Sequence, residues 1–179
     1  MGRAVAVFGS SEPAPGDALY EAARSLGRLL AAGGYAVVTG GYGGVMAGAS
    51  RGAREEGGVT VGVTCASFGD RRPNPYLSEV RQAPDLHERT RRLVEGAEAY
   101  VVLPGKSGTL AELTLLWALH RAGSLGPRPV VLWGAGWRAF LQFLVRHGMI
   151  ENEQLAVTRV ADTAEEAFEA VDTFFAGRP

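Results

Sequence analysis

Apolar residues in this chain fall into short runs, and between the runs they recur every three or four positions. The runs suit buried strands and the spaced positions suit one face of a helix. Arg3 to Phe8 predicts a first strand, ending in Gly9-Ser10-Ser11. Asp17 then stands where it can cap a helix whose inner face is Leu19, Ala22, Ala23, Leu26, Leu29 and Leu30, stopped by Gly33-Gly34. Tyr35 to Thr39 predicts a second strand, and a helix rich in small residues runs from about Val45 to Glu56, suited to close packing on a sheet. Val59 to Thr64 predicts a third strand, residues 86 to 94 a helix after Pro84, and Tyr100 to Leu103 a further strand. Arg128 to Trp133 reads as a strand, Leu155 to Val160 as a last strand or extended segment, and Trp137 to His147 and Thr163 to Phe175 as helices.

Strands alternating with helices at this spacing predict an α/β fold, a doubly wound parallel sheet with helices on both faces. At 179 residues, without repeat or linker, one domain is expected over 1–179. The longest irregular segment, 65–83, has the length of a lid or binding loop or of a plain surface loop; Val80 suits a short strand within it.

The stretch from Glu98 to Leu119 carries the most chemistry. A strand leads into Pro104-Gly105-Lys106-Ser107-Gly108, and an apolar helical pattern starts at Leu110. Strand, glycine-rich turn and helix present free backbone N–H groups to an anion at the carboxyl end of a sheet. Glu112 follows in the first turn predicted for that helix. Thr109-Leu110-Ala111-Glu112 also fits a capping box, in which Glu112 has a purely structural task. Arg89 has its own bland surroundings, because Glu88 with Arg92 and Arg91 with Glu95 are helical i,i+4 pairs.

Composition narrows the classes. Hydrophobic residues make up 46%, charged residues 21%, and the net charge is −1, which gives no reason to expect nucleic-acid or membrane partners. Cys65 is the only cysteine, so neither a disulfide framework nor a Cys-rich zinc site is available. His87, His120 and His147 are too scattered for a metal site, and no metal or cofactor is expected. No run is long enough to span a bilayer and no signal-peptide pattern opens the chain, so a cytoplasmic location is expected. Of 18 basic residues only Lys106 is a lysine.

Two familiar motifs fail on inspection. A P-loop needs glycine five positions before Gly105, where Tyr100 stands. A dinucleotide fingerprint read from Gly41 places Met46 where its third glycine belongs, and no acidic residue ends the third strand. The glycines Gly40, Gly41, Gly43 and Gly44 therefore make either a tight turn or a close approach to a ligand. Two glycine turns at strand ends favour the ligand.

Taken together, these motifs resemble the Lonely guy (LOG) family, also labelled lysine-decarboxylase-like. Its Pro-Gly-Gly-x-Gly-Thr-x-x-Glu motif is matched by Pro104 to Glu112, and its Met-His-Glu-Arg-Lys segment by Leu86-His87-Glu88-Arg89-Thr90. Its Gly-Gly-x-x-Gly-x-Met element is matched by Gly40 to Met46, and its Gly-Ser-Ser by Gly9-Ser10-Ser11. The resemblance implies a Rossmann-like fold, a homodimer, and hydrolysis of the N-glycosidic bond of a nucleoside 5′-monophosphate such as AMP. It implies catalytic roles for Glu112 and Arg89. It implies substrate contacts from Gly105, Lys106, Ser107, Gly108 and Thr109, from Gly40, Gly41, Gly43, Gly44 and Met46, and from Ser10, Ser11 and Leu86. The only lysine lies in the phosphate turn, so nothing suggests a pyridoxal-phosphate decarboxylase. Lys106 stands in place of a family glycine, where it either obstructs the ligand or adds a cationic phosphate contact. The rival reading is a non-catalytic carrier of a phosphorylated nucleotide or molybdopterin-type cofactor.

Overall fold

The structure is a computed structural model, and it describes residues 3–177. Seven strands form one parallel sheet: β1 (Ala4–Phe8), β2 (Ala36–Thr39), β3 (Thr60–Cys65), β4 (Glu79–Ala83), β5 (Ala99–Val102), β6 (Val130–Trp133) and β7 (Thr158–Ala161). Their order across the sheet is β4-β3-β2-β1-β5-β6-β7. Seven α-helices connect them: α1 (Ala18–Ala32), α2 (Val45–Glu55), α3 (Leu86–Glu95), α4 (Ser107–Arg121), α5 (Ala135–Arg146), α6 (Asn152–Val157) and α7 (Ala164–Ala176). This is the doubly wound α/β fold expected from the alternation.

Every residue of β1 is buried, and the pleat divides them between two cores. Ala4, Ala6 and Phe8 meet Leu93 of α3, Leu113 and Leu116 of α4 and Leu144 of α5. Val5 and Val7 face the opposite layer, with Leu26 and Leu30 of α1, Ala49 of α2 and Val171 and Phe175 of α7. Each fully buried side chain of this size stabilises by about 1.5–3 kcal/mol.

Chain order reverses beside β1. The connections run outward from β1 to β4 on one side, and then the chain returns to place β5 on β1's other edge. Loops after β1 and β5 consequently diverge at their carboxyl ends, and ligands of such sheets bind in the crevice this leaves.

Several expectations change locally. The small residues of α2 serve α1 as much as the sheet: a Cβ on Gly52 would lie 1.9 Å from the Arg24 carbonyl oxygen, so the two helix backbones nearly touch. Residues 155–157, expected as strand, finish α6 before β7 starts at Thr158; the turn is held by a Glu151–Gln154 capping box. Asp17 precedes α1 but caps nothing, because its carboxylate accepts from the Ala14 amide behind it at 2.8 Å. Val80 belongs to the five-residue edge strand β4, which shortens the irregular loop. Trp117 of α4 is buried and donates from Nε1 to Thr158 Oγ1 at 3.1 Å. Among the described residues no helix is long and apolar enough to cross a membrane.

Candidate functional site

The crevice holds a cavity of about 300 Å³. Its walls come from the loop after β1, the glycine turn after β2, the loop after β3, the start of α3 and the first turns of α4.

Helix α4 begins at Ser107, three residues earlier than the Thr109 capping box requires, with Lys106 at the N-cap position and no side chain bonding the first amides. Thr109 therefore sits inside the first turn, and Glu112 lies in the second. The capping-box reading of Glu112 is overturned: a residue with helical backbone on both sides cannot serve as the cap. Ser107, Gly108 and Thr109 instead line the cavity as the first three residues of α4, where amides lack intrahelical partners. A Cβ added to Gly108 would meet nothing within 4 Å, whereas one on Gly105 would lie 2.1 Å from Thr109 Oγ1.

Glu112 and Arg89 are both buried and both line the cavity. Arg89 comes from α3, whose N-terminus is fixed by the Asp85 carboxylate accepting from the Glu88 amide. The expected pairs Glu88–Arg92 and Arg91–Glu95 form on the outer face of α3 and leave Arg89 out. Its side chain turns inward. Nε donates to Val63 O at 2.9 Å and Nη2 to Gly40 O at 3.2 Å, while Nη1 lies 3.6 Å from Glu112 Oε1. That last separation is an ion pair too long for a good hydrogen bond. Tyr42 and Phe68 hold the guanidinium from the ring side, at 5.8 and 5.6 Å.

Burial pushes the Glu112 carboxyl up to about 7, and the Arg89 charge only partly opposes the shift. A carboxyl with that value exchanges its proton near neutrality, as a general acid or base must.

Of the expected contact residues, Ser10, Ser11, Gly40, Met46, Leu86 and Lys106 also line the cavity. Gly105, Gly41, Gly43 and Gly44 do not; they shape the walls from behind. Gly44 has φ +66, and a Cβ there would lie 2.2 Å from Ser10 O, so this glycine lets the first two loops meet. Lys106 keeps an ordinary negative φ of −102, and its exposed ammonium reaches Glu12 Oε1 at 2.5 Å across the cavity rim.

Sequence reasoning missed Glu12, Tyr42, Phe68 and Arg71, all of which line the cavity. Phe68 and Arg71 lie in the long segment recognised only as a loop, so its length was the available signal. Asn74 anchors that loop to the glycine turn, its amide donating to Gly41 O at 2.8 Å and its Nδ2 to Tyr42 O at 3.0 Å.

Comparison with known proteins gives the family and the fold. Residues 2–126 match the model of the SLOG cluster4 family. The chain belongs to this family. A Mycobacterium marinum protein named cytokinin riboside 5′-monophosphate phosphoribohydrolase is 32% identical over 172 residues, covering 93% of this chain and 91% of that one. The LOG resemblance is thereby borne out. An X-ray structure of a structural-genomics target superposes with a TM-score of 0.78 at 31% identity, covering 96% of this chain and 99% of that one. The molybdenum cofactor carrier protein of Chlamydomonas reinhardtii gives 0.75 at 24% identity, covering 97% and 98%, a likeness of fold alone.

Proposed function

We propose that this SLOG-family protein is a phosphoribohydrolase that cleaves the N-glycosidic bond of a purine nucleoside 5′-monophosphate, releasing free base and ribose 5-phosphate. One observation carries the reading: a buried carboxyl, Glu112, shares a single cavity with Arg89 and with the uncapped first turn of α4.

The 5′-phosphate binds the amides of Ser107, Gly108 and Thr109, where donors and helix dipole favour an anion. Lys106 adds its ammonium, exchanging Glu12 for phosphate, and Ser10, Ser11 and the Thr109 hydroxyl complete the polar end. Glu112 then lies near the ribose, one helical turn further along α4. As the base departs, positive charge builds at the anomeric carbon and the Glu112 carboxylate stabilises it. Water adds to that carbon as its bond to the base breaks, Glu112 accepts the water's proton and returns it to solvent, and the leaving base takes up one proton from solvent. Arg89, fixed by two backbone carbonyls, holds the carboxylate in place and favours its ionised form. Phosphate binding positions the reacting end, so a free nucleoside is a much poorer substrate. A homodimer belongs to the same reading, supported by exposed Phe143 and Val145 on α5 and Met149 beyond it.

The test is incubation of the purified protein with AMP and other monophosphates, following free base and ribose 5-phosphate. Turnover lost in Glu112→Gln and Arg89→Ala, with folding intact, supports the hydrolase. Full turnover in Glu112→Gln removes the catalytic assignment. Tight binding with no product from any nucleotide points to a carrier.

A further inference from the structure

The phosphoribohydrolase reading leaves the base unspecified, and the loop after β3 addresses it. The phosphate turn follows β5, while this loop follows β3, with β2 and β1 between them. At ~4.8 Å per strand the two loops start roughly 14 Å apart, about the span of an extended nucleoside monophosphate. With Glu112 and Arg89 between them, the β3 side is the base end.

Polar groups at that end are few. Met46 and Leu86 carry no hydrogen-bond donor. The Tyr42 hydroxyl is engaged with the Cys65 backbone, accepting from its amide at 2.9 Å and donating to its carbonyl at 3.3 Å. Arg89 spends Nε and Nη2 on carbonyls. Arg71 remains. Its guanidinium lies over the Phe68 ring, 5.6 Å from the centroid. The other cavity cations, Arg89 and Lys106, each face a carboxylate, while Arg71 has none among the described residues. Asn74, bonded to Gly41 and Tyr42 and accepting from the Tyr76 amide at 3.1 Å, fixes the loop's far end against the glycine turn.

We infer that Arg71, backed by Phe68, reads the base and selects 6-oxopurine nucleotides. Arginine offers a planar fork of donors and no acceptor. A 6-oxopurine presents two adjacent acceptors, O6 and N7, which the fork matches bidentately; adenine places an amino donor beside N7 and matches only in part. Guanine and hypoxanthine monophosphates are therefore the preferred class, and Arg71 is a specificity-determining residue of the proposed site.

The experiment compares kcat/KM for GMP, IMP and AMP in the wild-type chain, Arg71→Ala and Arg71→Lys. The expected result is preference for GMP and IMP over AMP by roughly tenfold or more, collapsing towards one in both variants. Loss in the lysine variant separates the bidentate fork from charge alone. Equal or better use of AMP by the wild type, or an unchanged ratio in either variant, overturns the inference. If no nucleotide is hydrolysed, the hydrolase reading fails separately, and the same ratios are read as Kd for GMP and AMP by calorimetry. Tighter GMP binding that depends on Arg71 supports the base assignment; equal affinities, or no binding, overturn it.

Discussion

The guanidinium of Arg89 occupies the space that a side chain on Gly40 would need: a Cβ there would lie 1.9 Å from Nη2 and 2.7 Å from Met46 Sδ. Gly40 is thus glycine for a reason unrelated to backbone conformation. It lets a cation from α3 lie against the end of β2, within reach of Glu112 on α4. Three elements distant in sequence depend on one missing methyl group.

Gly40→Ala should displace Arg89 and break its bond to the Gly40 carbonyl. A buried hydrogen bond from a charged donor is worth about 1.5–3 kcal/mol, and the destabilisation should fall in that range. Urea unfolding measures the stability cost. Activity towards a nucleoside monophosphate should fall further than stability explains, because Glu112 loses its positioned counter-charge.

The Glu112 carboxyl sets a pH dependence of known sign. The folded state keeps its proton up to about 7, whereas the unfolded chain releases it near the ordinary 4.5. Stability contributed by this group is therefore present below 4.5 and lost as pH rises through 7. Relative to Glu112→Gln, the wild type should lose on the order of 3 kcal/mol between pH 4.5 and pH 8. Denaturant melts of both proteins at those two values test it, and a flat difference would place the carboxyl near its ordinary value.

Gly105 and Gly108 belong to one motif but should respond oppositely to alanine. At Gly105 the new Cβ collides with Thr109, so Gly105→Ala should lower the unfolding midpoint. At Gly108 the space is open and the position helical, where alanine is preferred by up to about 1 kcal/mol. Gly108→Ala should therefore stabilise the protein while raising KM for the monophosphate, since the methyl group would project into the phosphate end. Unchanged KM would mean the open space is not where phosphate binds.

Lys106→Gly should leave the unfolding midpoint within error, because its bond to Glu12 is an exposed ion pair. The expected change is a higher KM for the monophosphate and a weaker dependence of KM on salt concentration. If instead KM falls, the lysine competes with the ligand.

The sequence by itself determined the alternation of strand and helix, the parallel doubly wound sheet and the two glycine turns at strand ends, whereas Glu112 and Arg89 entered one candidate site only through the family resemblance. Those features are local: hydrophobic period, β-branched runs and glycine punctuation are written within short windows. The start of α4 was misplaced by three residues because a plausible capping box lay inside the helix, and only the path out of β5 decides between two local alternatives. Residues 155–157 were misassigned for a similar reason, since a short apolar run suits helix and strand alike. Arg89 looked like one more charge on an exposed helix; its inward course depends on Gly40 and Val63, neither of which is near it in sequence. Phe68 and Arg71 were invisible as site residues because a loop has no periodicity, and their place at the cavity follows from Asn74 docking on the glycine turn. The raised Glu112 carboxyl is likewise a tertiary property, since its cause is burial between α3, α4 and the sheet. Local pattern specified which pieces form, and the order of strands across the sheet specified which side chains meet.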